Sequence, residues 1–178
     1  MNKVKILNRD FQISISSNQI FLAIEKIASK MNEDLNKKDV IFFGILNGAF
    51  MFASDLLKRI DFDCQISFLK LVSYQGYSNS GCVNRLIGVN EDIKNKTVVI
   101  LEDIIDTGAT LDYTIKQLKG YEPKEVKVAA LLFKPGSYSK KIEIDYTGFE
   151  ISNHFVIGYG LDYKGFGRNL PDIYKIIK

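Results

Sequence analysis

The sequence VVILEDIIDTGATL, from Val98 to Leu111, decides the fold. Its first residues are apolar on both faces of an extended chain, which is typical of a central strand in a parallel sheet. The two acids Glu102 and Asp103 follow, and a turn then leads into a helical segment that ends near Gly120. In open parallel sheets, ligands bind beyond the carboxyl ends of the strands, where the next helix begins. The stretch therefore predicts a strand–turn–helix unit with a binding site at the turn.

Further strands and helices alternate on both sides of this unit. The run VIFFGIL (40–46) is apolar throughout, and VKVAALLF (126–133) is apolar except for Lys127, so both indicate buried strands. QISFLKLV (65–72) predicts another strand, and AFMFASDLLKRI (49–60) has the pattern of a helix. This alternation predicts an α/β fold built on a mostly parallel, doubly wound sheet.

The N-terminal region predicts a strand and a capped helix. Phe11, Ile13 and Ile15 alternate with polar residues, as in a half-buried strand, and Ser16 or Ser17 can cap the helix that follows. The apolar positions of that helix share one face: Ile20, Ile24, Ile27 and Met31. Because no linker, repeat or low-complexity tract divides the chain, we expect a single domain over residues 1–178.

Residues 73–84, with the sequence SYQGYSNSGCVN, have neither helical nor strand periodicity. A polar segment of this length is longer than a typical turn, and such loops are usually functional or disordered. A mobile active-site lid that begins at Ser73 and Tyr74 and a surface hairpin both agree with this composition, and the sequence does not separate them.

Charge and apolar pattern exclude two classes of protein. A net charge of +3, with cationic runs no longer than pairs, does not predict a nucleic-acid-binding protein. No stretch approaches transmembrane length, and no apolar segment follows residues 1–3. We therefore expect a cytoplasmic protein with neither a nucleic-acid nor a membrane partner. Cys64 and Cys82 have no CxxC or zinc spacing, and we expect Cys64 to be a small buried hydrophobe.

The turn DTGAT (106–110) has the composition of a phosphate site. Gly108 lets the backbone approach a ligand closely, and Thr107 and Thr110 carry hydroxyl donors. The free N–H groups at the start of the helix favour a phosphate dianion. Neither the GxxxxGK[ST] loop nor the GxGxxG fingerprint occurs, so the common nucleotide motifs are absent.

Glu102 and Asp103 would repel a phosphate, so they fit better beside a sugar or a cation. Two carboxylates can accept hydrogen bonds from vicinal ribose hydroxyls, and they can also favour a cationic sugar or a magnesium ion. Taken one at a time, these acids are more typical of an exposed strand end than of a binding site. The ordered set, in its strand–turn–helix context, indicates a site for a phosphorylated sugar.

The stretch VVILEDIIDTGATL resembles the phosphoribosyl pyrophosphate signature of type I phosphoribosyltransferases, in the version of the hypoxanthine-guanine branch. Other segments resemble the family in the same order, over most of the chain from about Val40 to Pro171. VIFFGILNGAFMFASDLL is similar to its first pyrophosphate loop and helix, and SYQG to its flexible loop. LLFKP is similar to its purine-contacting strand end, and YTGFEISNHFVIGYGLDYKGFGRNLP to its purine hood.

The resemblance implies a fold and an activity. The fold is that of the type I phosphoribosyltransferases, with a small hood contributed by about residues 1–15 and 146–178. The activity belongs to purine salvage: the 5-phosphoribosyl group passes from phosphoribosyl pyrophosphate to hypoxanthine or guanine. The products are IMP or GMP and pyrophosphate, and Mg²⁺ is the expected cofactor.

The resemblance also implies roles for residues of the central motif. Glu102 and Asp103 are expected to hold the ribose hydroxyls, and Asp106 to face N7 of the purine as the general base. The 5′-phosphate is expected to bind the turn itself: Asp106, Thr107, Gly108, Ala109 and Thr110.

Outside the motif, the implied purine contacts are Lys134, Phe155 and Val156. Lys134 is expected to donate to the 6-oxo group, Phe155 to stack on the ring, and the Val156 backbone to contact the pyrimidine edge. Asp162 is expected to help to bind magnesium, with its main chain near the 2-position. The implied pyrophosphate contacts are Asn47, Gly48 and Arg168, and the implied metal ligands are Asp162, Glu102 and Asp103.

Two positions depart from the family's pattern. Asn47 stands where many relatives have a basic residue in the pyrophosphate loop, and Ala109 stands where some have lysine. Backbone N–H groups make much of the family's contact at Asn47, and asparagine preserves them. Both departures leave the reaction class unchanged, and leave the affinity for the diphosphate substrate open.

Three other functions agree with parts of the sequence. One is a phosphoribosyltransferase for xanthine or another base, and one is a regulatory protein that binds phosphoribosyl pyrophosphate without catalysis. The third is an unrelated doubly wound phosphate-binding fold. Retention of Asp106, Lys134 and Arg168 favours the enzyme, and the hood similarity argues against an unrelated fold. The preference among hypoxanthine, guanine and xanthine is left open, as is the choice between a homodimer and a homotetramer.

Overall fold

The computed structural model describes residues 3–73 and 83–177. These residues form a six-stranded sheet, a four-stranded sheet and three helices. The elements in chain order are β1 (Lys3–Ile6), β2 (Arg9–Ile15), α1 (Ser17–Leu35), β3 (Val40–Leu46), α2 (Phe50–Leu57), β4 (Cys64–Ser73), β5 (Val83–Ile87), β6 (Thr97–Ile105), α3 (Ala109–Lys119), β7 (Glu125–Phe133), β8 (Tyr146–Glu150), β9 (Val156–Ile157) and β10 (Ile173–Ile176).

The larger sheet has the strand order β5-β4-β3-β6-β7-β8. Strands β4, β3, β6, β7 and β8 run parallel, and β5 is antiparallel to β4. The central strands β3 and β6 are buried along almost their whole lengths. Since both faces of a central parallel strand are covered, its sequence is a continuous apolar run rather than an alternating one. The mostly parallel sheet that those runs predict is confirmed.

Helices cover both faces of this sheet. Phe42 of β3 packs in a core with α1 and α2, whereas its neighbour Phe43 packs in a second core with Leu111 and Leu118 of α3. Successive side chains of a strand point to opposite faces, so one apolar run supplies both cores. This two-sided covering confirms the doubly wound α/β fold.

Helix α1 begins with a capping box. The Ser16 hydroxyl accepts a hydrogen bond from the N–H of Gln19, and the Gln19 side chain accepts one from the N–H of Ser16. These reciprocal bonds satisfy two backbone donors that the first turn of a helix leaves free. The N-cap is therefore Ser16 rather than Ser17. The apolar face predicted for this helix is buried: Ile20, Ile24, Ile27 and Met31.

The smaller sheet forms the hood. Its order is β1-β2-β10-β9, all antiparallel, and Phe11, Ile157 and Tyr174 form its core. Our C-terminal boundary of the hood at residue 146 was wrong, because β8 pairs in parallel with β7 and so belongs to the larger sheet. The buried ring of Tyr146 fixes β8 there, since its hydroxyl bonds to Asp34 on α1.

Strands β4 and β5 form an antiparallel pair that ends with Ser73 opposite Val83. Ser73 is thus the last residue of β4, whereas Tyr74 lies outside the described residues, as do the rest of 74–82. The lid that we placed here stays a prediction. The expectation that Cys64 is buried was wrong: it lies exposed at the start of β4.

No helix within residues 3–73 and 83–177 has both the length and the apolar character needed to cross a membrane.

Candidate active site

Three parallel strands end at one edge of the larger sheet and bring the predicted residues together. The register pairs Gly44 of β3 with Leu101 of β6, and Ile105 of β6 with Phe133 of β7. The loops that follow these strands carry, respectively, residues 47–48, the turn 106–110 and Lys134. Because carboxyl ends of parallel strands share an edge, segments far apart in sequence become neighbours here.

The turn 106–110 surrounds a cavity of about 110 Å³. Gly108 is the N-cap of α3 and has a φ of 80°, a left-handed conformation that favours glycine. A Cβ at Gly108 would also lie 2.5 Å from the ring of Tyr138. The first turn of α3 points its N–H groups toward this cavity, which suits an anion. The cavity is lined by Glu102, Ile104, Ile105, Asp106, Thr107, Gly108, Ala109, Thr110 and Leu111.

An ion pair joins Asp106 to Lys134. The Lys134 Nζ lies 2.8 Å from a carboxylate oxygen of Asp106, and Lys134 as a whole is only 7% exposed. The lysine is the main cause that holds the pKa of Asp106 below its usual value, and the nearby Ser137 hydroxyl contributes to the same effect. The pair thus presents a fixed acceptor beside a fixed donor at the open edge of the sheet.

Glu102 and Asp103 are acids in an environment that opposes their charge. Glu102 is buried, and its burial together with the charge of Asp103 raises its pKa well above the usual value. Burial also raises the pKa of Asp103 to about 6, and the nearby Arg168 opposes this rise. A cation or an electron-poor sugar beside these two acids would favour their ionised forms. The carboxylates would in turn stabilise the positive charge.

Replacing Glu102 with glutamine is expected to stabilise the unliganded protein at pH 8 and to change little near pH 4. With its pKa raised on folding, Glu102 loses stability for the native state as the pH rises from the unfolded pKa to the folded one. Glutamine has no charge to bury. We expect a gain of about 2 kcal/mol at pH 8, or about 6 °C in melting temperature, measured by thermal unfolding at both pH values.

Glu125 provides the matched control for this prediction. Its carboxylate lies 2.9 Å from Lys38 Nζ and has a lowered pKa. Glu125→Gln is therefore expected to lower the melting temperature at pH 8 slightly, the opposite sign. Equal stabilisation of Glu102→Gln at both pH values would show that the charge of Glu102 is not the cause.

The hood contacts the loop after β3 around Asp103. A Cβ at Gly48 would lie 1.7 Å from a carboxylate oxygen of Asp103, and one at Gly160 would lie 2.1 Å from the carbonyl oxygen of Gly48. Both positions therefore require glycine for close packing. Asn47 is exposed beside Gly48, so its side chain is open to a ligand at this junction.

Arg168 organises the hood side of the site. Its guanidinium forms an ion pair with Asp162 at 2.5 Å and donates a hydrogen bond to the carbonyl of Gly160 at 2.6 Å. The other carboxylate oxygen of Asp162 accepts from the N–H of Gly165. Arg168 and Asp162 both act on the pKa of Asp103, which places all three charges close together. Arg168 is thus a cation between the acids Asp103 and Asp162, close to Gly48.

Phe155 and Val156 form an exposed platform at the edge of the hood. Phe155 is 45% exposed, and its ring packs against Phe11 and edge-on against Tyr163. The N–H of Ile176 donates to the carbonyl of Phe155, which makes Val156 a non-hydrogen-bonded position of the β9–β10 pair. The backbone polar groups of Val156 therefore face the open edge, where a planar ligand can bind them.

The loop after Lys134 connects this platform with the turn at 106–110. A Cβ at Gly136 would lie 3.4 Å from the side chain of Asn153, two residues before Phe155. The N–H and hydroxyl of Ser139 both donate to the carbonyl of Thr107. We did not predict that Ser139 would bond to the turn at 106–110. The only sequence signal was the presence of hydroxyl residues after a lysine–proline strand end.

The acids can contribute ligands to a metal ion, but not a complete cage. Within the described residues, no three or more His, Cys, Asp or Glu side chains are grouped so as to hold a metal. The available donors are carboxylate oxygens, which suit a hard divalent cation that also keeps water molecules and phosphate oxygens of a substrate. Glu102, Asp103 and Asp162 thus fit a metal that binds together with its substrate.

Comparisons with known proteins agree with this geometry. A phosphoribosyl transferase domain model matches residues 14–164. The hypoxanthine-guanine phosphoribosyltransferase of Streptococcus pneumoniae is 42% identical over 163 residues, which are 91% of each chain. A hypoxanthine phosphoribosyltransferase structure from Staphylococcus aureus has 35% identity and a TM-score of 0.88, covering 93% of this chain and 91% of that one. A hypoxanthine-guanine phosphoribosyltransferase structure from Bacillus anthracis has 31% identity and a TM-score of 0.87, covering 94% and 97%. The chain belongs to the type I phosphoribosyltransferase family, in its hypoxanthine-guanine branch.

Proposed function

We propose that this enzyme transfers the 5-phosphoribosyl group of phosphoribosyl pyrophosphate to hypoxanthine or guanine. The observation that carries the proposal is the Asp106–Lys134 pair, 2.8 Å apart, beside a phosphate-binding turn. A 6-oxopurine presents an N7–H donor next to an O6 acceptor. Asp106 offers the acceptor for the first, and Lys134 offers the donor for the second. Adenine carries an amino group at the 6-position. This group is itself a donor, so it cannot accept a hydrogen bond from Lys134.

The remaining proposed roles are those that the family resemblance implies, and the positions of the residues support them. Residues 106–110 bind the 5′-phosphate, and Glu102 and Asp103 hold the ribose hydroxyls. Phe155 stacks on the purine, and the backbone of Val156 contacts its pyrimidine edge. The pyrophosphate binds at Asn47, Gly48 and Arg168, and the predicted lid at Ser73 and Tyr74 shields the reacting sugar from water.

The reaction is a substitution at C1′ of the ribose. The bond from C1′ to the pyrophosphate oxygen breaks, and N9 of the purine forms the new bond. Positive charge develops on the sugar, where Glu102 and Asp103 stabilise it electrostatically. The N7 proton passes to Asp106 as the purine gains positive charge, and Arg168 neutralises part of the charge of the departing pyrophosphate.

Magnesium is the proposed metal. Its preference for oxygen ligands and retained waters fits Asp162, Glu102 and Asp103 together with pyrophosphate oxygens. Bound there, it neutralises the leaving group and helps to orient the diphosphate. Asp162 would help to hold the ion after its ion pair with Arg168 opens.

The assay that tests the function compares four bases. Purified protein is incubated with phosphoribosyl pyrophosphate, magnesium and, separately, hypoxanthine, guanine, xanthine or adenine, and the nucleotide product is measured. We expect IMP or GMP from the first two bases, no AMP, and loss of activity when magnesium is removed with a chelator and recovery when it is restored. Product from xanthine alone would favour the xanthine enzyme instead. Binding of phosphoribosyl pyrophosphate without product from any base would favour a regulatory protein.

The chain is further proposed to act as a single cytoplasmic domain that assembles into a homodimer or homotetramer. Exposed apolar side chains on α1 and α2 support an assembly: Phe21, Leu22 and Phe50. Light scattering after size-exclusion chromatography measures the molar mass of the assembly, which distinguishes a homodimer from a homotetramer.

A further inference from the structure

The turn that is proposed to bind the 5′-phosphate carries no basic side chain of its own. Its sequence, DTGAT at 106–110, contains one acid and neither lysine nor arginine. The cavity that it surrounds is also lined by Glu102, a second acid. The N-terminus of α3 offers a phosphate its N–H groups and about half an elementary positive charge. The turn itself therefore neutralises a phosphate dianion only in part.

The segment 138–140, in the loop after β7, packs directly on this turn. The N–H and the hydroxyl of Ser139 both donate to the carbonyl of Thr107, at 3.4 Å and 3.3 Å. A Cβ added to Gly108 would lie 2.5 Å from the ring of Tyr138 and 2.9 Å from Cγ of Lys140. The backbone of the segment is thus tied to one residue of the turn, and two of its side chains cover the next. These contacts place Lys140 beside the turn.

The ammonium of Lys140 is held only weakly at the start of α3. Its Nζ lies 3.4 Å from a carboxylate oxygen of Asp112, whereas Lys116 Nζ lies 2.8 Å from the same oxygen. Asp112 therefore keeps its closer partner when Lys140 leaves. The Lys140 side chain is 36% exposed, and an exposed ion pair contributes less than about 1 kcal/mol. Little free energy thus opposes a movement of this ammonium to another anion.

A phosphate on the turn competes well with Asp112 for this ammonium. A phosphate monoester carries roughly twice the charge of one carboxylate and offers three acceptor oxygens. The lysine stem is flexible, so Nζ can turn toward the phosphate while Cγ stays against Gly108. An ammonium that pairs with a phosphate forms a charge-assisted hydrogen bond, which is stronger than a neutral one.

We propose that Lys140 supplies the cation of the 5′-phosphate site, and that its ammonium leaves Asp112 to pair with the phosphate bound on the turn 106–110. The role rests on the proposed function and extends it to a residue outside the recognised motifs. It gives the loop after β7 two tasks, since Lys134 at its start serves the purine and Lys140 serves the phosphate. The same role applies to phosphoribosyl pyrophosphate and to the nucleotide product, because both carry a 5′-phosphate.

The experiment measures binding of IMP, which has a 5′-phosphate, and of magnesium pyrophosphate, which has none, by titration calorimetry. Lys140→Ala is expected to raise the Kd for IMP about tenfold, as for loss of one hydrogen bond between charged groups, and to leave the Kd for pyrophosphate unchanged. In steady-state assays the KM for phosphoribosyl pyrophosphate is expected to rise by the same factor, with kcat and the KM for hypoxanthine within about twofold. Lys140→Arg keeps the charge and is expected to restore most of the affinity.

Two lysine variants serve as controls. Lys141→Ala removes the same charge from the exposed neighbouring position, and Lys116→Ala removes the closer partner of Asp112. Both are expected to keep the Kd for IMP within about twofold. An effect of either control equal to that of Lys140→Ala would overturn the role, because net charge or the Asp112 contact would then explain the loss.

The remaining outcomes separate the role of Lys140 from the function on which it rests. Wild-type protein that forms no nucleotide from any base would remove the proposed function, whereas the Kd values for IMP still report on Lys140. With an active wild type, a Lys140→Ala variant that binds IMP as wild type does would overturn the role alone. Equal weakening of IMP and pyrophosphate would also overturn it, since a general loosening of the site affects both ligands.

Discussion

Replacing Asp106 with asparagine is expected to lower kcat by about 10²–10⁴-fold, the range for loss of a general base. Asparagine has nearly the same size and can still accept a hydrogen bond from Lys134, but its amide cannot take the N7 proton. The KM for hypoxanthine is expected to change by less than about threefold, because Lys134 and the Phe155 platform keep their proposed contacts with the purine. Initial rates at saturating magnesium and phosphoribosyl pyrophosphate measure both constants.

A second aspartate tests whether loss of one negative charge explains the effect. Asp112 lies on α3 and pairs with Lys116 at 2.8 Å and with Lys140 at 3.4 Å. Asp112→Asn therefore removes the same charge six residues away, outside the proposed machinery, and is expected to keep kcat within about twofold. An Asp106→Asn enzyme that retained more than a tenth of the wild-type kcat would contradict the assignment of Asp106 as the base.

The main sheet was predictable because its strands are defined by their own sequences. The runs at residues 40–46 and 98–101 are apolar at every position, which only a strand covered on both faces requires. The Ser16 capping box is likewise a local signal, since its two hydrogen bonds join residues three apart.

The hood was less predictable because its strands depend on partners far along the chain. β9 has only two residues, and β10 pairs with β2 from the opposite end of the sequence. Such short strands carry too few residues for a period to show. β8 has the same problem: it is five residues long and belongs to the sheet through β7 and the Tyr146–Asp34 contact. This is why we assigned it to the hood.

The site was predictable by residue type but not by contact. The motif at residues 102–110 and the lysine at 134 could be recognised separately, whereas the ion pair between Asp106 and Lys134 joins residues 28 apart. Their proximity follows from the parallel register of β6 and β7, which places Ile105 opposite Phe133. The contact of Ser139 with Thr107 depends on the turn after Lys134, for which the sequence gives no period.

Replacing Arg168 with alanine is expected to lower kcat/KM for phosphoribosyl pyrophosphate by about 100-fold, near the low end of the range for truncation of a hydrogen-bonded charge pair, because this pair is only half-buried. The guanidinium bonds both to Asp162 and to the carbonyl of Gly160, whose backbone packs on Gly48. Its removal takes away the cation proposed to bind the pyrophosphate and loosens the contact between the hood and the loop after β3. It also removes the charge that opposes the raised pKa of Asp103, so that acid becomes harder to ionise.

Two further variants identify which property of Arg168 matters. Arg168→Lys keeps the charge, but an ammonium cannot reproduce the planar fork that reaches Asp162 and Gly160 together, so it is expected to recover only part of the loss. Lys164→Ala removes one positive charge from an exposed position of the same segment and is expected to leave kcat/KM within about twofold. Full activity in Arg168→Lys would mean that charge alone suffices. Equal losses in Arg168→Ala and Lys164→Ala would assign the effect to the overall charge of the hood. Only a large loss in Arg168→Ala with partial recovery in Arg168→Lys supports the bridging geometry, because that geometry alone requires two donors held in one plane.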